Sequence, residues 1–232
     1  MNIMKVLAIG AHPDDIEIFM YGIVSIFKLE GHQIYLTIAT DGSMGGDNKN
    51  NDLHKIRELE TQKGLFDLAK PSFLRLPDGY LGKDLNHINV IEQNVKKINP
   101  NLIITHHPKD YHSDHRVLSN YIDKIAGHYI PVIHCDTLMG LNFHPDYYID
   151  ITNCFDKKIK SIMAHKSQKP ERFVNLAKLM NSYRSAQCNA PVGCYAEAYS
   201  INNSFPFADI RNILPKSPPL RPFNILKENG FL

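Results

Sequence analysis

KVLAIGAHPDDIE, residues 5–17, joins a short apolar segment to a cluster of polar side chains. The apolar segment covers residues 4–9, and a second one, rich in β-branched residues, covers residues 33–39. Both have the length and composition of buried β-strands. Residues 16–29 lie between them and carry apolar side chains at helical spacing, with Gly31 placed as a C-cap. The stretch therefore predicts a strand–helix–strand unit.

The same alternation continues along the chain. Further helices are predicted over residues 53–68, 86–98 and 113–126, and further strands over residues 73–76, 102–105, 131–135 and 147–151. Alternating strands and helices favour a Rossmann-like α/β fold, with a mostly parallel sheet, right-handed crossovers and helices on both faces. A chain of 232 residues is within the size range of a single domain. We predict one domain over residues 1–205 and a proline-rich extension, residues 206–232, that packs on it.

A second polar cluster, HPKDYHSDH at residues 107–115, follows the predicted strand 102–105. In doubly wound sheets ligands bind beyond the carboxyl ends of the strands where the strand order reverses, and the first and fourth strands are neighbours there. We therefore expect Asp15 and His115 to lie together. Imidazole and carboxylate groups suit Zn²⁺, and Fe²⁺ or Co²⁺ would accept the same ligands. Three protein ligands leave one position open for water or substrate, which is typical of a catalytic metal site.

Spacing within the first cluster separates metal ligands from a candidate base. His12 and Asp15 are three residues apart at a strand-to-helix turn, so both can face one metal ion. Asp14 then points elsewhere and can remove a proton from a metal-activated water. The alternative is an ordinary helix N-terminus, where acidic residues complement the helix dipole.

The second cluster offers the same spacing. His112 and His115 are three residues apart, so one can bind the metal while the other reaches a substrate carbonyl. Asp114 can orient or charge one of them. The alternative is a polar loop whose histidines have no common role.

Overall composition argues against several classes of protein. The chain has 26 basic and 24 acidic residues, a formal charge of +2, which does not indicate a nucleic-acid partner. Its four cysteines form no C-x-x-C pair, so we expect free thiols in a reducing compartment. The N-terminus does not have the pattern of a secretory signal, and no apolar run is long enough for a transmembrane segment. We expect a cytoplasmic protein, and the sequence leaves a homo-oligomeric state open.

Both clusters resemble the motifs of one known family. Residues 11–17, AHPDDIE, are similar to its A-H-P-D-D-x-E signature, and residues 107–115 match H-P-x-D-x-H-x-D-H. On these motifs the chain resembles the PIG-L/LmbE family of zinc-dependent N-acetylglucosaminyl deacetylases. The resemblance covers about residues 4–200 and includes Thr40-Asp41-Gly42-Ser43, Arg57 with Glu60, His165-Lys166-Ser167-Gln168 and Ala196-Glu197-Ala198-Tyr199.

The resemblance implies a role for each residue of the site. It implies that the metal is bound by three side chains, those of His12, Asp15 and His115. It implies that Asp14 is the base and that His112, tuned by Asp114, is the electrophile or acid. It further implies that Arg57 helps to hold the sugar, although Arg57 and Glu60, three apart on a helix, could also form a solvated ion pair.

We therefore predict a zinc-dependent hydrolase that removes the acetyl group from an N-acetylated amino sugar, such as N-acetylglucosamine, or from its conjugate. Its partner is then a small-molecule amino sugar. One alternative is an amidase that acts on a thiol conjugate or another acyl amine, since the metal chemistry does not define the leaving amine. The other is a non-catalytic module that binds metal or sugar, which would have no use for Asp14.

Overall fold

Seven strands form one sheet between two layers of helices in the computed structural model, which describes residues 3–46, 52–127, 129–201 and 211–219. The strands are Lys5–Gly10 (β1), Gln33–Thr40 (β2), Ser72–Leu76 (β3), Leu102–Thr105 (β4), Val132–Cys135 (β5), Tyr147–Asp150 (β6) and Ala196–Ile201 (β7). The α-helices are Asp15–Phe19 (α1), Tyr21–Leu29 (α2), Leu53–Gly64 (α3), Asn86–Ile98 (α4), Ser113–Ala126 (α5), Phe155–Ile162 (α6) and Glu171–Gln187 (α7). The predicted α/β fold with a mostly parallel sheet is confirmed.

The strand order is β3-β2-β1-β4-β5-β7-β6. β1 pairs in parallel with both β2 and β4, whereas β7 pairs antiparallel with β5 and β6. The chain runs outward from β1 in one direction and from β4 in the other, so the order reverses between these two strands. The loops that follow them therefore flank the crevice in which such sheets bind ligands.

Alternate residues of β1 face the two helical layers, because successive side chains of a strand point to opposite faces. Val6 and Ala8 belong to a core cluster that includes residues of α1, α2, α6 and α7. Leu7 and Ile9 belong to a second cluster, with residues of α4 and α5. All four side chains are fully buried, so β1 is the apolar centre of the fold and holds the loop after it in place.

Strand β7 was not predicted from the sequence. Its residues, Ala-Glu-Ala-Tyr-Ser-Ile, include two small side chains and a carboxylate, so the apolar pattern of a strand is weak. The strand is nevertheless buried, because it lies between β5 and β6. Only the pairing with its neighbours makes this segment a strand.

The buried carboxylate of Glu197, on β7, explains a second difference from prediction. The helix expected over residues 16–29 is two helices, α1 and α2, separated at Met20. Glu197 accepts hydrogen bonds from the amides of Gly22 and Ile23, at 2.8 and 2.9 Å, in the first turn of α2. These amides have no partner within the helix, so the carboxylate stabilises a helix start at this point.

Replacing Glu197 by glutamine should destabilise the protein by about 3–5 kcal/mol. The carboxylate also accepts a hydrogen bond from the buried ammonium of Lys158 at 2.8 Å and one from the Tyr199 hydroxyl at 2.6 Å. The variant leaves a buried charge without its counter-ion and places an amide N–H₂ among donors. Urea denaturation measures the effect, with the double variant Glu197→Gln/Lys158→Met as control. The double variant should be the more stable of the two, and a single variant within about 1 kcal/mol of wild type would contradict the argument.

The predicted extension, residues 206–232, is described only over residues 211–219. There, Leu214 is buried against the first core cluster, and the Asp150 amide donates to the Lys216 carbonyl oxygen at 2.9 Å. The rest of the extension lies outside the described residues. Within the described ranges, no helix combines the length and apolarity needed to span a bilayer.

Candidate metal and catalytic site

A cavity of about 340 Å³ lies at the carboxyl ends of β1 to β4. Its volume is at the lower end of the range for small-molecule sites. Polar side chains line one part of it, and Ile18, Phe19, Leu138 and Phe173 line another. Its polar lining residues include His12, Asp14, Asp15, Arg57, Asp78, His112 and His115.

Three side-chain groups converge at the reversal point of the sheet. His12 Nδ1 lies 3.2 Å from His115 Nε2 and 3.4 Å from Asp15 Oδ2, and His115 Nε2 lies 3.3 Å from Asp15 Oδ1. In a tetrahedral zinc site with bonds of about 2.0–2.1 Å, neighbouring ligand atoms are about 3.3–3.4 Å apart. The predicted proximity of Asp15 and His115 is confirmed. The Asp15 carboxylate faces His12 with Oδ2 and His115 with Oδ1, so all three groups lie close enough together to bind one divalent metal ion.

In each imidazole, the inner nitrogen faces the other two groups, and the outer nitrogen, on the opposite side of the ring, faces carboxylates. His12 Nε2 lies 3.1 Å from Asp78 Oδ1 and 3.4 Å from Asp114 Oδ2, and His115 Nδ1 lies 3.3 Å from Asp110 Oδ1. A carboxylate at the outer nitrogen favours the tautomer that has its lone pair on the inner nitrogen, as metal-binding histidines require. These contacts therefore support binding of a metal by the inner nitrogens.

The pKa values of these groups follow from burial and charge. Burial by itself lowers the pKa of His12, but Asp114, Asp15 and Asp78 raise it well above its usual value. Burial likewise opposes protonation of His115, yet Asp15 and Asp110 raise its pKa to about 9. Burial disfavours ionised Asp15, but its neighbouring imidazoles hold its pKa well below the usual range. A metal ion must therefore displace protons from the imidazoles when it binds.

His106 lies against the Asp15 carboxylate and the His115 ring. It is fully buried, and its Nε2 lies 3.1 Å from Asp15 Oδ2, to which it can donate in one tautomer, and 3.1 Å from the Ala11 amide, from which it can accept in the other. Its ring stacks on that of His115 with a centroid distance of 3.7 Å. Burial and the charge of His115 lower its pKa to about 4, so it is neutral at pH 7. His106 therefore packs against two of the three converging groups, the Asp15 carboxylate and the His115 ring.

The Asp14 carboxylate lies beside the converging groups but is not one of them. Asp14 has a positive φ of 119°, an uncommon conformation for a residue other than glycine. Its Oδ2 accepts a hydrogen bond from Arg57 Nη2 at 3.2 Å. Burial raises the pKa of Asp14, whereas Arg57 opposes the increase. A buried carboxyl with a raised pKa, on the wall of a cavity, can act as a general base.

Arg57 joins the loops that follow β1 and β2. Its Nη1 donates to the Gly42 carbonyl oxygen at 2.8 Å and its Nη2 to that of Pro13 at 2.6 Å. Glu60 instead accepts hydrogen bonds from the amide and hydroxyl of Ser167, at 2.7 and 2.6 Å, so Arg57 and Glu60 do not form the ion pair considered above. Arg57 is buried at the cavity wall, and its contact with a sugar stays a prediction.

His112 and Asp114 contact each other, but not through the carboxylate. His112 Nδ1 accepts a hydrogen bond from the Asp114 amide at 3.2 Å and so caps the start of α5. The Asp114 carboxylate accepts one from the Gly79 amide at 2.7 Å and faces His12. Burial lowers the pKa of His112, as do His12 and His115, so its ring is neutral at pH 7. The tuning of His112 by Asp114 stays a prediction.

Three residues of the site had no role in the sequence analysis: Asp78, His106 and Asp110. His106 is the first residue after β4, and Asp78 follows β3 by two residues. A polar residue just after a buried strand is the signal that could have indicated both. Asp110 is part of the second motif, but its spacing to His115 does not indicate which ring it faces.

Comparison with known proteins gave one family and several relatives. Residues 7–126 match the family described as PIG-L: GlcNAc-PI de-N-acetylase. The chain is 26% identical over 192 residues to a diacetylchitobiose deacetylase of Thermococcus kodakarensis, covering 73% of this chain and 72% of the relative. It is 26% identical over 187 residues to a probable N-acetyl-alpha-D-glucosaminyl L-malate deacetylase 2 of Bacillus cereus, covering 70% and 83%.

A structural comparison finds the same fold in an enzyme with a different reaction. The crystal structure of the 4-carboxy-2-hydroxymuconate hydratase of Pseudomonas putida superposes with a TM-score of 0.75 at 18% identity, covering 86% of this chain and 96% of that one. At this identity the likeness concerns the fold alone, because one fold can host unrelated reactions.

Proposed function

Because the chain belongs to the PIG-L family of de-N-acetylases, we propose that it is a metal-dependent hydrolase that removes the N-acetyl group from an amino sugar or its conjugate. One observation carries the proposal: His12, Asp15 and His115 converge at metal-site spacing, with the Asp14 carboxylate beside them and outside the set. The relatives act on N-acetylated amino sugars, as their names state, which supports the substrate class.

Zn²⁺ is the metal we propose, since two imidazoles and one carboxylate suit it, and Fe²⁺ or Co²⁺ would fit the same ligands. His12, Asp15 and His115 would hold the ion. When bound, it supplies a Lewis acid that polarises the acetyl carbonyl and makes water more acidic. Homo-oligomerisation, a cytoplasmic location and the lack of a nucleic-acid partner stay predictions.

Asp14 is the proposed general base. Its carboxylate takes a proton from the attacking water, and its raised pKa lets it hold that proton until the amine leaves. Arg57 Nη2 donates to the Asp14 carboxylate and to the neighbouring Pro13 carbonyl oxygen, and these hydrogen bonds keep the carboxylate in position. The proton can then pass from Asp14 to the departing nitrogen.

His112 is the proposed electrophile. Its Nδ1 accepts the Asp114 amide hydrogen, so the neutral ring carries its proton on Nε2. This N–H can donate to the acetyl oxygen as negative charge develops there, which lowers the barrier. We also propose that Asp114 tunes His112 and that Arg57 contacts the sugar.

Amine release from a panel of acyl amines tests the function. The panel contains N-acetylglucosamine, diacetylchitobiose, a malate conjugate and a thiol conjugate of N-acetylglucosamine, and a non-sugar N-acetyl amine. Purified protein is assayed as isolated, after chelation, and after addition of Zn²⁺, Fe²⁺ or Co²⁺. We expect release from a sugar that chelation abolishes and metal restores. Release only from the non-sugar amine would favour the amidase alternative, and no release with one equivalent of metal bound would favour the binding module.

A further inference from the structure

Asp78 reaches the site from a loop that is distant in sequence. It follows β3, which lies two strands from β1 in the sheet. Its side chain is buried and contributes to the cavity wall. No residue within the two sequence motifs predicts this position, and the reaction proposed above gives Asp78 no task.

The Asp78 carboxylate is held by the loop after β2. Its Oδ2 accepts a hydrogen bond from the Met44 amide at 2.9 Å, and its own amide donates to Asp41 Oδ1 at 3.4 Å. Asp41 Oδ1 also accepts from the Ser43 amide at 3.0 Å, which fixes the same loop. These contacts orient the carboxylate so that Oδ1 points to His12 Nε2, 3.1 Å away.

Asp114 is the other carboxylate near His12 Nε2, but it is the weaker candidate. Its Oδ2 is 3.4 Å from that nitrogen and already accepts the Gly79 amide at 2.7 Å, while Oδ1 faces the Leu81 amide at 3.4 Å. Among the described residues, no backbone amide donates to Asp78 Oδ1. Asp78 is therefore nearer to His12 and has an oxygen free to accept from it.

We propose that Asp78 is a positioning residue that holds the His12 ring with Nδ1 directed at Asp15 and His115. The proposal rests on the proposed metal site and adds to it a residue that does not itself bind the ion. Among the described residues, His12 Nε2 is buried without a hydrogen-bond partner, and the carboxylates of Asp78 and Asp114 approach it to 3.1 and 3.4 Å as ion-pair contacts. Without Asp78 the ring can turn away, so the inner lone pair is less often aligned with the other two groups. Loss of such an outer partner typically weakens metal binding 10–100-fold.

A different role for Asp78 would be to bind a sugar hydroxyl, since it lines the cavity. The two roles predict different kinetics. A positioning residue changes the affinity for the metal and leaves KM unchanged when the metal is saturating. A sugar ligand changes KM and leaves the affinity for the metal unchanged.

The test is Zn²⁺ affinity, measured by competition with a chromogenic chelator, for wild type, Asp78→Ala and Asp78→Asn. Asp84→Ala is the matched control, because Asp84 is an exposed carboxylate of the same loop and its removal changes the charge equally. We expect affinity about 10–100-fold weaker in Asp78→Ala, a smaller loss in Asp78→Asn, whose amide oxygen can still accept, and no change in Asp84→Ala. With saturating Zn²⁺, KM of Asp78→Ala should equal that of wild type.

Urea denaturation of each variant checks that it is folded, and Asp78→Asn, which preserves the side-chain shape, gives the result if Asp78→Ala does not fold. Wild-type affinity for Zn²⁺ in Asp78→Ala would overturn the inference and leave the proposed function intact. If Asp78→Ala does not fold, wild-type affinity for Zn²⁺ together with a raised KM in Asp78→Asn would overturn it in the same way. A wild-type protein that binds neither Zn²⁺, Fe²⁺ nor Co²⁺ would overturn both.

Discussion

Asp14→Asn should lower kcat by about 10²–10⁴-fold and leave the affinity for Zn²⁺ within a few fold of wild type. The Asp14 carboxylate is not among the three groups that converge at metal-site spacing, so an amide in its place removes the base and keeps the ligands. Asparagine is preferred to alanine here, because it tolerates the positive φ of 119° better and keeps an oxygen for Arg57.

Steady-state kinetics and chelator competition on the same preparation measure the two quantities. Because burial raises the pKa of Asp14, wild-type kcat should fall as the pH drops through that pKa and the carboxylate becomes protonated. The variant should lack this acid limb. A variant that loses Zn²⁺ as completely as an Asp15 variant would show that Asp14 is a ligand rather than the base.

Asp15→Ala should lose both metal and turnover, with affinity for Zn²⁺ reduced by at least about 100-fold, more than loss of an outer partner causes. The Asp15 carboxylate contacts His115 Nε2 at 3.3 Å and His106 Nε2 at 3.1 Å, and it accepts the His12 amide at 2.7 Å. Its removal takes away one ligand and the group that holds the others together.

Asp14→Asn is the control for Asp15→Ala, since the two residues are adjacent, both are buried and both changes remove one negative charge. Metal content by elemental analysis and chelator competition separate them. Equal metal loss in both variants would contradict the division of roles, and full retention of metal in Asp15→Ala would remove Asp15 from the ligand set. Urea denaturation identifies any loss of metal that is due to unfolding.

Much of the fold follows from local patterns in the sequence. Apolar residues 4–9, 33–39 and 102–105 are strong strand signals, because parallel strands are buried on both faces and read as continuous apolar runs. The helices Asn86–Ile98 and Ser113–Ala126 have the predicted bounds. β7 was missed because its small and charged residues become a strand only through pairing with β5 and β6.

The two motifs alone predict the metal-ligand types and the separation of Asp14 from its neighbours, because ligand chemistry and spacing on a turn are properties of short segments. The meeting of Asp15 with His115 was predicted from the strand order that the alternating strands and helices imply. The tertiary structure decided which carboxylate faces which ring. Asp78 reaches His12 from β3, Asp110 rather than Asp114 faces His115, and Glu197 interrupts a helix nearly 180 residues before it in the chain. A buried imidazole or helix start needs an oxygen to accept its hydrogen bonds, and strand order decides which carboxylate lies near enough to do so. No local pattern in the sequence contains that information.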